Sequence, residues 1–323
     1  MRKWLLAAAG IFALGISGAS AQNYPTRNIT MVIPFTAGGP TDTVGRLIAE
    51  SMSKTLGQTV VIDNVAGAGG TRASGQVAKA TPDGYTILLH HIGMSTAPTL
   101  YRKLSFNPET DFETIGLVTD APMSLIARPD FPAKNFAEVL EYVKKNKDKV
   151  NYANAGVGAA SHLCGMLLMS SIGVQMNTVP YKGTGPAMTD VLGGQVDLMC
   201  DQTTNTTSQI KGGKVKAYGV TTKTRVKNLA DLPTLDEAGL KGFDLAVWHG
   251  LYAPKGTPKE VIAKLTQALQ AALKDPKVIE RFAALGTEPV PQNEATPEGH
   301  SAKLKAEIAK WRPLIKAAGV YAD

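Results

Sequence analysis

Residues 29–42 read Ile-Thr-Met-Val-Ile-Pro-Phe-Thr-Ala-Gly-Gly-Pro-Thr-Asp, and this stretch decides the fold. Its first half is apolar and partly β-branched, which predicts a buried strand. Gly38 and Gly39 break that strand, and Pro40 followed by Asp42 predicts that a helix begins there. The first N–H groups of a helix have no partners within it, and the helix dipole adds partial positive charge. The turn is therefore predicted to hold an anion.

The same unit of strand, turn and helix recurs along the chain. Alternating strands and helices indicate parallel pairing with crossover helices, an α/β architecture. Two extended segments, 114–127 and 246–254, are predicted to cross between two lobes, and Pro313 is predicted to kink or break the last helix. The other predicted strands are 59–65, 85–90, 150–154, 175–181, 195–201 and 215–221, and the main predicted helices are 41–56, 135–149, 161–172, 258–274, 276–285 and 297–318.

The N-terminus has the pattern of a cleavable secretory signal peptide. Arg2 and Lys3 precede an apolar run over 4–14, and Ala19-Ser20-Ala21 provides a small-residue cleavage site. The run is shorter than the roughly 20 residues of a membrane-spanning helix. Residues 1–21 are therefore predicted to be removed on export, which leaves 323 − 21 = 302 residues.

Composition and motifs argue against several classes of function. Without Arg2 and Lys3 the formal net charge falls from +7 to +5, and aromatic residues make up 6% of the chain, so no nucleic-acid surface is predicted. Arg72 stands where a dinucleotide-binding loop needs its third glycine, and the chain has no phosphate-loop, nucleophile-elbow or His-Glu-x-x-His motif. We therefore predict no catalytic residues, no metal, no cofactor and no enzymatic activity.

Cys164 and Cys200 are the two cysteines, and no Cys-x-x-Cys pair occurs. An oxidising compartment would permit a disulfide between them. Two buried thiols that behave as small apolar groups are the favoured expectation.

Four predicted turns carry glycine, two in each predicted lobe: residues 38–39, 67–70, 156–158 and 183–185. Ligands of open α/β sheets bind outside the carboxyl ends of the strands, where these turns lie, so a shared anion site between the lobes is predicted. The alternative is that the glycines only permit tight turns.

Several side chains near these turns are candidates for the site. His90 and His91 should point to opposite faces of a strand, which argues against a shared metal ion, and one of them is expected to line the cleft. His162 is either a ligand contact or a structural histidine. Asp42 is expected to orient its turn, and Asp201 to contact a distal polar part of the ligand.

The sequence resembles the periplasmic solute receptors of tripartite tricarboxylate transporters, often called Bug receptors. The resemblance spans nearly the whole mature chain, although Ala66, residues 90–95 and Cys200 depart from the family pattern. The matching residues are Pro34–Asp42 with Arg46, Asn64–Gly70, Pro82–Thr86, Gly156–Leu163, Pro180–Gly183, Gly193–Asp197 and Gly250–Pro254.

The resemblance implies a two-lobed type II periplasmic-binding (Venus-flytrap) fold, with a mostly parallel sheet flanked by helices in each lobe. Lobe 1 would comprise residues 22–122 and 244–323, and lobe 2 residues 123–243. The implied ligand-binding residues, together with His91, are Phe35, Gly38, Gly39, Thr41, Asp42, Gly156, Ala160, Ser161, His162, Tyr181, Gly183 and Asp201.

The expected function is a monomeric periplasmic receptor that delivers a di-, tri- or aromatic carboxylate to the large and small membrane subunits of a transporter. The His90–His91 pair makes an aromatic acid plausible. A ligand-binding sensor and a secreted enzyme that use the same cleft are the alternatives.

Overall fold

A computed structural model of the chain describes residues 24–322, so the predicted signal peptide lies outside the described residues. No helix within that range is both long and apolar enough to cross a bilayer. The strands are β1 (Ile29–Ile33), β2 (Val60–Asn64), β3 (Thr86–His91), β4 (Phe112–Ala127), β5 (Asn151–Asn154), β6 (Asn177–Pro180), β7 (Leu198–Gln202), β8 (Lys216–Val220) and β9 (Ala246–Pro254). The α-helices are α1 (Pro40–Leu56), α2 (Thr71–Val77), α3 (Gly93–Leu100), α4 (Phe136–Asn146), α5 (Ala160–Ile172), α6 (Thr184–Leu192), α7 (Thr203–Lys211), α8 (Lys259–Ala272), α9 (Pro276–Ala284) and α10 (Pro297–Ala318).

The strands form one continuous sheet in the order β2-β1-β3-β9-β4-β7-β5-β6, and β8 pairs with β4. β1 pairs in parallel with β2 and β3, and β5 pairs in parallel with β6 and β7. β4, β8 and β9 add antiparallel pairs between and beside these two parallel sets. The α/β fold class is confirmed.

The long strand β4 belongs to both halves of the sheet. Within β4, residues 112–122 contain the positions that pair with β9. Residues 123–127 pair with β7, and most of them also pair with β8. Because the partners change between Pro122 and Met123, we propose the division expected from the sequence. Lobe 1 is residues 22–122 and 244–323, and lobe 2 is residues 123–243.

Helix α1 shows how the opening stretch builds the core. Val44, Ile48 and Met52 follow one another at helical spacing, and each is fully buried. Burying a side chain of this kind contributes roughly 1.5–3 kcal/mol. The stripe therefore fixes α1 on the sheet, with its first turn at the carboxyl end of β1.

Three features differ from the sequence prediction. Helices α3 and α7 were not predicted, because α3 begins Gly-Met-Ser-Thr and α7 is mostly threonine and serine, so neither carries an apolar stripe. Their burial stabilises them instead. Of the kink or break predicted at Pro313, the break does not occur: α10 runs through it to Ala318, and Pro313 lies on the exposed face, where water can satisfy the carbonyl that loses its donor.

The expectation of two free thiols is also wrong. Cys164 of α5 and Cys200 of β7 form a disulfide, with their Cα atoms 6.1 Å apart. That separation lies in the range that a disulfide spans, and both residues are buried. The bond ties the first half of α5 to the middle of β7 within lobe 2.

Replacing both cysteines by alanine should lower the free energy of unfolding by roughly 3–4 kcal/mol, the loop-closure entropy of a crosslink across a separation of about 36 residues. Urea denaturation followed by circular dichroism measures this loss. As a control, a reductant should lower the urea midpoint of the wild type but not of the double variant. Equal midpoints for the two proteins without reductant would contradict the prediction.

Candidate functional site

The four glycine turns meet in pairs across the two lobes. The turn at 36–39 contacts the turn at 182–185, where the N–H of Thr36 donates to the carbonyl of Lys182 at 3.4 Å. A Cβ built on Gly39 would lie 3.7 Å from the amide nitrogen of Gly185. The main chains of the two lobes therefore approach each other directly at this pair.

The second pair is closed by Tyr101 and Gly69. The hydroxyl of Tyr101 lies 2.7 Å from the carbonyl of Ala68 in lobe 1 and 2.7 Å from the carbonyl of Val157 in lobe 2. Gly69 has φ +58°, and a Cβ on it would overlap the carbonyl of Val157. Only glycine lets the lobes come this close, so the described conformation is a closed one.

A small cavity lies between the lobes behind these contacts, and its volume of about 10 Å³ leaves room for roughly one water molecule. It faces the first turns of α1, α5 and α6 and the residue before α7. None of these four helices has a side chain that caps its first N–H groups. The cavity is lined by Phe35, Pro40, Thr41, His91, Ala155, Ala159, Ala160, Ser161, Thr184, Asp201 and Gln202.

Four helix N-termini thus surround one cavity whose lining contains no Lys or Arg within residues 24–322. Each N-terminus carries uncapped N–H donors and partial positive charge. This arrangement can hold a small anion through main-chain groups alone.

Asp42 is buried, and the hydrogen bonds of its carboxylate stabilise the glycine turn before α1. It accepts hydrogen bonds from the N–H of Gly38 at 2.9 Å, from Nδ2 of Asn64 at 3.0 Å and from Nε of Arg46 at 2.8 Å. Burial alone would raise the pKa of Asp42, but the bonds from Arg46, Gly38 and Asn64 lower it below its usual value. Asp42 therefore shapes the turn and does not line the cavity.

The rings of His90 and His91 do not diverge as predicted. Their centroids lie 4.9 Å apart, and both rings flank Gly93, where the chain leaves β3 and enters α3. The strand alternation ends at this bend, which is why the prediction of opposite faces is wrong. Residues 24–322 contain no group of three or more side chains suited to hold a metal ion.

Of the two, His91 lines the cavity, and its ring stacks on Phe35 with centroids 4.8 Å apart. The N–H of Gly93 donates to its Nδ1 at 3.0 Å. Burial and the neighbouring His90 and His249 lower the pKa of His91 well below 6.5, so the ring is neutral. Its proton therefore lies on Nε2, where it can serve as a donor.

Two cavity-lining polar atoms have no hydrogen-bond partner: Oγ1 of Thr184 and Oε1 of Gln202. Buried polar atoms are nearly always paired, so these two mark positions where a ligand or water would bind. The sequence prediction missed both residues as contacts. Gln202 follows Asp201 at the carboxyl end of β7, and that position alone could have indicated it.

The predicted site residues fall into three groups. Phe35, Thr41, His91, Ala160, Ser161 and Asp201 line the cavity. Gly38, Gly39, Asp42, Gly156 and Gly183 build the turns around it. His162 accepts from the N–H of Gly158 at 3.4 Å, and the hydroxyl of Tyr181 donates to Asp190 at 2.5 Å, so both serve the surrounding structure.

Residues 44–320 match the family described as tripartite tricarboxylate transporter family receptor, or TctC. The chain belongs to this family.

Solved structures of TctC relatives share the fold. The periplasmic binding protein BugD is 60% identical, with a TM-score of 0.91 over 93% of this chain and 100% of its own. MatC from Rhodopseudomonas palustris with bound malate is 42% identical, with a TM-score of 0.88 over 90% of this chain and 100% of its own. R. palustris Rpa4515 with adipate is 33% identical, with a TM-score of 0.88 over 93% and 99%. The predicted assignment to the Bug-type receptors and to the periplasmic-binding fold is confirmed.

Gly69→Ala should weaken binding of any ligand held between the closed lobes at least tenfold, because its methyl group overlaps the carbonyl of Val157 in the closed form. Gly57→Ala is the matched control: Gly57 has a similar φ of +67° but nothing within 4 Å of its added Cβ. Both variants should lose similar stability, roughly 1–2 kcal/mol. Isothermal titration calorimetry measures the affinities, and equal affinities in the two variants would contradict the role of this contact.

Acidification from pH 7 to pH 5 should destabilise the protein, because all five histidines have a lowered pKa. Each folded pKa lies below the unfolded value of about 6.5, so the unfolded chain binds more protons in this window and stability falls by roughly 1 kcal/mol per pH unit for each histidine. Burial raises the pKa of Asp201 to about 6, so in this window the folded state takes up a proton there and a small part of the lost stability is offset. Burial lowers the pKa of His90, His249 and His300 to about 3, that of His162 to about 4 and that of His91 well below 6.5.

Urea denaturation at both pH values measures the effect. His300→Gln removes one of the five without touching the cavity and should reduce the pH dependence. An unchanged free energy of unfolding between pH 7 and pH 5 would contradict the prediction.

Proposed function

We propose that this TctC-family protein is a periplasmic receptor that captures a small dicarboxylate between its lobes and delivers it to a tripartite tricarboxylate transporter. The observation that carries the proposal is the convergence of four uncapped helix N-termini on one closed cavity with no cationic side chain in its lining. Such a site selects a carboxylate by main-chain N–H groups placed in a water-poor environment, where each hydrogen bond is strengthened.

The cavity supports an aliphatic ligand over an aromatic one. The closed cavity has a volume of only about 10 Å³, so a compact ligand fits with the least separation of the lobes. Malate and adipate bound to relatives of the same fold support this class of ligand.

Capture and delivery fit the rest of the chain. The N-terminal pattern of residues 1–21 supports export to the periplasm, and the family description supports a transporter as the partner. Binding, closure and release need no chemical step, and we therefore propose that the protein is a receptor without catalytic activity.

A thermal-shift and calorimetry panel of carboxylates on the mature protein tests the binding claim. At a hundredfold excess over Kd, a true ligand stabilises the protein by about 2.7 kcal/mol. Thr184→Val should weaken binding roughly two- to tenfold, as expected for one lost hydrogen bond. Thr204→Val is the matched control, since its hydroxyl is also buried without a partner but does not line the cavity.

No stabilisation by any di- or tricarboxylate would contradict the proposal. Delivery is tested in proteoliposomes that contain the large and small membrane subunits: uptake of the bound ligand should require this protein. Uptake that is equally fast without it would leave capture standing and contradict delivery.

A further inference from the structure

Asp201 is the one charged residue among those that line the cavity. Its side chain is buried, and Nδ2 of Asn205 donates to Oδ2 at 2.6 Å. Burial raises the pKa of this carboxyl to about 6, although the hydrogen bond from Asn205, the nearby hydroxyl of Thr184 and the N–H of Gln202 oppose the rise. The cavity that attracts an anion therefore contains an acid of its own.

Within residues 24–322, no cation compensates Asp201 from the elements packed around it. Burial lowers the pKa of His91 and of His162, so both rings are neutral at pH 7. Burial raises the pKa of Tyr152, whose hydroxyl donates to the carbonyl of Ser161, so it stays protonated. On α1, Arg46 forms a salt bridge with Asp42, so its charge is already paired there and does not compensate Asp201.

A carboxylate ligand in this cavity would meet the Asp201 carboxylate at short range, because Asp201 itself lines the cavity and a closed volume of about 10 Å³ leaves no room for a wide separation. Two like charges about 4 Å apart in a protein weaken binding on the order of a thousandfold. If Asp201, which titrates near pH 6, instead takes up a proton at pH 7, ligand binding is weakened only about tenfold. Binding with Asp201 protonated therefore costs less free energy than binding with Asp201 ionised.

We propose that Asp201 sets the specificity of the site by requiring one positive charge whenever a carboxylate binds. For a dicarboxylate without a cationic group, that charge is a proton taken from solvent, and the neutral acid donates its O–H. For an amino dicarboxylate, the ammonium group of the ligand supplies the charge, and ionised Asp201 accepts from it. The inference rests on the proposed function and adds a charge requirement for the ligands of the same cavity.

L-Malate and L-aspartate form a matched pair of probes, because a hydroxyl in one replaces an ammonium group in the other. Calorimetry of the mature wild-type protein at pH 7.5, in phosphate and in Tris, gives the number of protons taken up from the dependence of the heat on the buffer. Malate should take up close to one proton, and its affinity should fall about tenfold per pH unit above pH 6.5. Aspartate should take up none and show little pH dependence.

Asp201→Asn provides the second arm, since its carboxamide mimics the neutral acid. The variant should bind malate with an affinity that no longer depends on pH and that at pH 8 at least equals that of the wild type, and it should bind aspartate at least tenfold more weakly. Asp63→Asn, at an exposed position of β2, is the control and should change neither ligand.

Malate binding at pH 7.5 without proton uptake would overturn the inference and leave the proposed function intact. Equal weakening of both ligands in Asp201→Asn would overturn it as well. Failure of the wild type to bind any carboxylate would contradict both. The proton count in the wild type stands independently of how well the variant folds.

Discussion

The structure depends on one constraint: the first N–H groups of four helices need an acceptor, and no side chain in the described part of the chain caps them. Left buried without a partner, such donors are costly. Placed together around one cavity, they become a preformed anion site whose strength increases as the lobes exclude water. The glycines at the four turns serve the same end, because they let main chain meet main chain.

The rest of the fold positions these helix ends. Parallel strands deliver their carboxyl ends, and the helices that follow, to the same edge of the sheet. β4 and β9 run between the lobes and keep the two edges facing each other. In lobe 2, the first half of α5 is fixed to β7 twice: by the disulfide, and by Tyr152, whose hydroxyl donates to the carbonyl of Ser161 at 2.7 Å and accepts from the N–H of Cys200 at 3.3 Å.

Sequence reasoning reached the features that local chemistry dictates. Gly38 to Asp42 predicted both a strand end and a helix start, because glycine, proline and an acidic residue each have a fixed place in such a turn. It failed where tertiary context decides. The disulfide joins residues far apart in the sequence, the bend after His91 overrides strand alternation, and α3 and α7 are stabilised by burial rather than by an apolar stripe. Gln202 was missed because a single glutamine forms no motif, although its position at the carboxyl end of β7 could have indicated it.

The most direct test of this account is a crystal structure of the mature protein with malate. The account predicts one ligand carboxylate within hydrogen-bond distance of main-chain N–H groups at the starts of at least two of α1, α5, α6 and α7, contributed by both lobes, with no Lys or Arg in contact. A ligand held instead by surface cations, with only water among the helix N-termini, would contradict it.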